Sequence, residues 1–181
     1  MKQIKVYAAG KITANDWRGV RDTTGSYEEW LTRVSGVGRP TRTVPHLDRE
    51  IVYVGPFFIS CDHGCYHGPH THGVGAYNLG VCASDGPTPQ NVVSAALDGI
   101  DHADIVYVRL DAEGAYGTMA EIGYALAVGK PFVVDVDPTL PAAIRRDYWF
   151  ALAATAHRLP TVPDEAAVRE VFKVGTVATW R

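Results

Sequence analysis

The sequence predicts a single α/β domain, built as a parallel sheet of about five strands with helices on both faces. Three observations predict it. Residues 4–9, 51–54, 105–108 and 132–134 are short apolar runs, the pattern of strands buried on both faces. Segments with helical periodicity separate most of these runs. Residues 104–134 also read as strand, loop, helix and strand, the unit from which parallel sheets are assembled.

The whole chain narrows the class. A length of 181 residues suits one domain with a sizeable core. Hydrophobic residues at 46% and charged residues at 20% are ordinary for a globular protein. A net charge of −3 gives no electrostatic footing for a nucleic-acid polymer or a membrane surface. No apolar run approaches the ~20 residues of a membrane span. The opening Met1-Lys2-Gln3-Ile4-Lys5 enters a strand with no signal-peptide apolar region. Three cysteines, an odd number, do not form a disulfide framework. The expectation is a cytoplasmic protein, with residues 1–181 forming one domain that has no internal repeat and no linker.

The first strand ends in Gly10 and is followed by Lys11, Asn15, Asp16, Trp17 and Arg18. In parallel sheets ligands sit beyond the carboxyl ends of the strands. Lys11 and Arg18 are therefore either contacts for a substrate phosphate or a solvated face. Ser26-x-x-Glu29 is a capping box that starts a helix with Trp30, Leu31 and Val34 on its apolar stripe. Gly36-Val37-Gly38-Arg39-Pro40 ends it. The second strand runs into Gly55-Pro56-Phe57-Phe58.

Residues 60–87 form a loop insert rich in cysteine, histidine and glycine. Four of the seven histidines, His63, His67, His70 and His72, fall within ten residues. A long loop without periodicity inside a compact domain is usually functional or disordered. Cys61, His63, Cys65 and His67 are residue types that ligate zinc, which makes a zinc site in the 61–72 loop one reading. A second reading has His63 or His67 closing the active site as an acid or hydrogen-bond donor. A third is a surface loop whose glycines and Pro69 make turns.

Thr88-Pro89 is an N-cap with proline at the first helical position. The helix it starts runs to about Ile100, with Val93, Ala96, Leu97 and Ile100 as its apolar stripe and Asp98 off that stripe. After the strand at 105–108 comes a loop with Asp111, Glu113, Gly114 and Gly117, and then a helix opened by Thr118-Met119-Ala120-Glu121. Met119, Ile122, Ala125 and Leu126 share one face of it. Gly129-Lys130-Pro131 stops it before the strand at 132–134. Pro141 begins a further helix with Ile144, Tyr148, Ala151 and Leu152 on one face. His157-Arg158-Leu159 reads as a short last strand. Asp164 caps the last helix, with Val168, Val171 and Phe172 inward.

Two readings of Glu121 stand open. Thr118-x-x-Glu121 fits a capping box, in which the glutamate only reaches back to the N-cap amide. A carboxylate in the first turn of a helix is also held ionised, and an ionised carboxylate can attack a sugar carbon.

The run GTMAEIGYALAVGKP, from Gly117 to Pro131, resembles the signature of the nucleoside 2-deoxyribosyltransferase family. KVYAAG, from Lys5 to Gly10, is similar to the family's opening strand, and LDGIDHADIVYV, from Leu97 to Val108, to the helix end and strand before the signature. GPFF, from Gly55 to Phe58, resembles a piece that often follows the family's first strand, although here it follows the second. The resemblance covers about half of the chain, the first strand and residues 88–136.

What the resemblance implies is specific. The fold would be a flavodoxin-like three-layer domain. Glu121 would be the nucleophile toward the anomeric carbon of a nucleoside or nucleotide, and Tyr7 would hold its geometry. Candidate substrate-binding residues are Gly10, Lys11 and Arg18 after the first strand, Asp98, and Asp111, Glu113, Gly117 and Thr118 around the loop. The base must be protonated as it leaves, a task for Asp98, Asp111 or Glu113. A second nucleobase then takes the sugar, or water does. No organic cofactor is required, and the resemblance implies homo-oligomers whose sites a neighbouring subunit completes. The sequence departs from the family in two places. Ala115 and Ala96 stand where base-binding aspartates are usual, six residues before Glu121 and four before Ile100.

Overall fold

The computed structural model describes residues 1–10, 39, 41–56, 89–158, 162 and 164–173. The helix expected at 26–34, the 60–87 insert, Lys11 and Arg18 lie outside them. The described residues form an α/β fold around a mixed five-stranded sheet. Its strands are β1 (Lys2–Gly10), β2 (Thr41–Val44), β3 (Arg49–Gly55), β4 (Ile105–Leu110) and β5 (Phe132–Val136), in the spatial order β2-β3-β1-β4-β5.

The four strands read from apolar runs are parallel to one another. The fifth corrects the expectation of an all-parallel sheet. β2 pairs antiparallel with β3, from Thr41 opposite Val52 to Val44 opposite Arg49. A single 3-10 turn, Pro45–Leu47, and Asp48 in the left-handed region reverse the chain between them. Only Val44 of β2 is buried, so this edge strand has no apolar run to announce it. The strand expected at 157–159 does not form, because His157 and Arg158 end a helix.

Side chains alternate across the sheet and build two cores. On one face Ile4, Val6, Ala8, Tyr53, Tyr107 and Val133 pack against α5 (Glu165–Phe172). On the other, Tyr7, Ala9, Val54, Val106 and Val108 meet α1 (Pro89–His102), α2 (Tyr116–Ala127) and the pair α3 (Ala142–Asp147) and α4 (Trp149–Arg158). The helix expected from Pro141 is thus two, broken at Tyr148, which remains buried with Ala151.

α1 also departs from its expected stripe, since Val93 is 57% exposed. Its packed face is the C-terminal half, through Gly99, Ile100 and Ala103, while Asp98 points to solvent as expected. α2 buries Ile122 and Ala125, with Met119 and Leu126 partly covered, as its periodicity requires. Gly129 takes φ +72° just past α2, so the Gly129 amide reaches Leu126 O and that of Lys130 reaches Ala125 O. Lys130 Nζ then donates to Asp101 O at 2.6 Å and Ala103 O at 2.8 Å, tying the end of α2 to the end of α1. No helix among the described residues is long and apolar enough to cross a membrane.

Asp164 precedes α5 but makes no side-chain cap. Its carboxylate instead accepts from Lys2 Nζ at 2.8 Å and Arg49 Nε at 2.6 Å, joining β1 and β3 to α5. These two hydrogen bonds hold its pKa below the ordinary 3.8. The folded protein then binds this proton less readily than the unfolded chain. The associated stability is complete above the unfolded value and is lost as pH falls through the folded one. Lys2 is exposed, so most of the effect rests on Arg49. Asp164→Asn is expected to cost about 1–2 kcal/mol at neutral pH. In urea titrations the gap from wild type should close as pH falls below about 4. A gap independent of pH would rule out a charge contribution.

Candidate active site

The order β3-β1-β4 changes direction at β1, since the chain passes from β1 to β3 on one side and later to β4 on the other. A crevice at such a switch point, beyond the carboxyl ends of the strands, is where open α/β sheets bind ligands. Gly10 ends β1 there, and the 111–115 loop leaves β4 there.

Two of the sequence-predicted residues meet beside this point. Tyr7 is fully buried on the α2 face of β1, and its hydroxyl donates to Glu121 Oε1 at 2.5 Å. Glu121 is half-buried in the second turn of α2. The short contact is of the charge-assisted kind, in which a hydroxyl bonds to a carboxylate. The capping-box reading does not hold. α2 begins at Tyr116, its N-cap is Ala115, and no side chain caps it. Thr118 and Glu121 therefore lie inside the helix, with Thr118 buried. Tyr116-Gly117 joins the helix ahead of Thr118, which moves the start of α2 out of the box's register.

The other predicted residues divide. Asp111 follows β4, pairs with Arg109 Nε at 3.4 Å, and has Oδ1 buried without a hydrogen-bond partner among the described residues. Glu113 is exposed in the same loop. A Cβ added at Gly117 would meet nothing within 4 Å, so the backbone there faces open space. Asp98, out in solvent, acts on Tyr124, whose phenol is raised first by its bond to Asp101 and to a lesser degree by the Asp98 charge. Cys61, His63, Cys65 and His67 lie outside the described residues. Among those described, no group of three or more His, Cys, Asp or Glu could hold a metal ion.

Sequence reading missed several supports of the site. The Tyr148 hydroxyl donates to Ala112 O, fastening the 111–115 loop to the α3–α4 junction. Burial pushes the Tyr148 phenol up, which keeps it a donor. Arg109 bridges Asp111 to Asp137, the latter through Nη2 at 3.2 Å, and so links the ends of β4 and β5. Tyr116, 85% exposed on the first turn of α2, puts an aromatic ring on the same rim. The polar types at the ends of apolar runs were a signal for Arg109 and Asp137; nothing local signals Tyr148.

A cleft of about 660 Å³ opens on the opposite face, between β4, β5 and α5. Two ion pairs line it, Arg109 with Asp137 and Arg169 with Asp135. The Tyr107 hydroxyl also donates to Asp135 at 2.6 Å. Tyr7 and Tyr107 are on neighbouring strands but alternate in register, so they point to opposite faces. The cleft is consequently separate from the Tyr7–Glu121 pair.

No family model, curated protein or solved structure matches this chain.

Proposed function

We propose that the protein cleaves the N-glycosidic bond of a nucleoside, deoxynucleoside or nucleotide, with Glu121 as nucleophile. The observation that carries this reading is the 2.5 Å bond from the buried Tyr7 hydroxyl to Glu121 Oε1. A phenol fixed in the sheet orients a carboxylate near the strand ends, and an oriented carboxylate is what attack on an anomeric carbon requires. The carboxylate forms a glycosyl-enzyme as the C–N bond breaks. The departing base takes a proton from a group on the 111–115 loop or from solvent. A second nucleobase then accepts the sugar and returns Glu121 to its ionised form. Water in its place gives hydrolysis. On this reading the domain is flavodoxin-like and works as a cytoplasmic homo-oligomer, and glycosyl transfer needs no organic cofactor.

Ala96 and Ala115 favour a second reading. Without carboxylates at those positions the chain is a nucleotide-binding module that does no chemistry. A panel of nucleosides and 5′-monophosphates, each with and without a free base, separates the readings. Base exchange is the expected result, and base release alone would mean a hydrolase. Binding without either product would overturn catalysis in favour of the module.

A further inference from the structure

Gly99 is buried in α1 where the helix crosses β1 and β3. A Cβ at this position would lie 2.8 Å from Tyr7 Cδ2, 2.9 Å from Tyr7 Cε2 and 3.1 Å from Val54 O. The first two distances are closer than packed carbons approach one another. α1 thus rests its backbone directly on the Tyr7 ring, with Ala96 as another small residue packed on the same core.

We infer that Gly99 is a positioning residue for Glu121, acting through Tyr7: the absent side chain lets α1 seat the phenol ring so that its hydroxyl meets the carboxylate. The functional part rests on the nucleophile reading above; the geometric part does not. Neither side of the contact has room to yield. The Tyr7 backbone is paired in the sheet between β3 and β4. α1 is held at its C-terminal end by buried Ile100 and Ala103 and by the Lys130 bonds. A methyl group at 99 would therefore tilt the ring. The tilt is amplified at the hydroxyl, at the far end of the ring, and a hydrogen bond weakens steeply with misalignment. The nearest polar neighbour of the intruding methyl is Val54 O, a backbone group that cannot rotate away.

The test uses the whole chain and four proteins: wild type, Gly99→Ala, Tyr7→Phe and the double variant. Phenylalanine keeps the ring atoms that collide and removes the hydroxyl. On the best substrate of the panel, Gly99→Ala should lower kcat on the order of 10- to 100-fold with little change in KM. In the Tyr7→Phe background the same change should alter kcat by less than about twofold, because the coupled path is already broken. A readout free of activity is the 13Cδ NMR signal of Glu121, assigned by its loss in Glu121→Gln. Gly99→Ala and Tyr7→Phe should each move it, and the double variant should move it no further than Tyr7→Phe alone. An unmoved signal, or an equal kcat loss in both backgrounds, would overturn the inference. If Gly99→Ala does not fold, its loss of stability is measured in a stabilising osmolyte in both the wild-type and Tyr7→Val backgrounds. The loss should be smaller with Tyr7→Val, where the colliding ring atoms are gone and only Val54 O remains, and an equal loss would overturn the inference as well. The two proposals can fail separately. If no substrate reacts, the NMR signal still decides on Gly99. If Glu121→Gln abolishes turnover while Gly99→Ala does not, only the Gly99 inference falls.

Discussion

Glu121→Gln is expected to lower turnover by about four orders of magnitude or more while leaving the fold intact, as happens when a covalent nucleophile is removed. The structural alternative is that Glu121 only satisfies the buried Tyr7 hydroxyl. A glutamine amide oxygen accepts that hydrogen bond equally well, so on this alternative activity survives. Stability separates from activity, because the substitution keeps shape and acceptor and should change unfolding free energy by less than about 1.5 kcal/mol. A 2-fluoro-substituted nucleoside should label Glu121, since fluorine slows release of the glycosyl-enzyme more than its formation; peptide mass spectrometry would locate the adduct. Near wild-type turnover in Glu121→Gln would sink the mechanism.

The largest loss of stability is expected from Phe172→Ala. Phe172 is buried at the end of α5 and stacks on Tyr107, with ring centroids 4.6 Å apart and planes inclined by 15°. Deleting it leaves a cavity in the core between α5 and the sheet, at a cost of about 3–5 kcal/mol, and removes the favourable ring contact. For a chain of this size that lowers the melting temperature by roughly 10 °C. Because the residue sits on the face away from Tyr7 and Glu121, the folded fraction should keep its kcat. Thermal unfolding by circular dichroism, with activity per folded molecule, checks both parts. A melting temperature within about 2 °C of wild type would show that α5 contributes little to this core.

Which features the sequence announced follows from how local their causes are. The central strands β1, β3 and β4 carry continuous buried stretches and the edge strand β5 opens on buried Phe132 and Val133, so apolar runs mark all four. β2 is an edge strand with one buried residue, and its pairing is set by the turn at Pro45–Leu47 rather than by its own composition. The stripe of α2 was legible because all of it faces the sheet, whereas only half of α1 does, and Val93 fell on the free half. Thr118-x-x-Glu121 is a valid capping pattern, but a helix start also depends on what precedes it, and Tyr116 and Gly117 are helical here. Tyr7 and Glu121 are 114 residues apart, so no spacing rule joins them. Their pairing was expected only through the family resemblance. Gly99 carried no signal at all, because its meaning lies in a ring on another element.

The place of β1 in the sheet has a consequence for how the site moves. At Val6 and Tyr7 the strand is paired with β3 on one side and β4 on the other, and from Val6 to Ala9 its side chains are buried on both faces. A strand so enclosed exchanges its amide hydrogens only when the whole domain opens, whereas helices at the periphery open in smaller, cheaper fluctuations. Tyr7 is thus carried by a strand paired on both sides and Glu121 by a helix that packs on the sheet with one face only. On the proposed reading, an opening that admits a ligand would move α2 and its leading loop about a phenol held in the sheet.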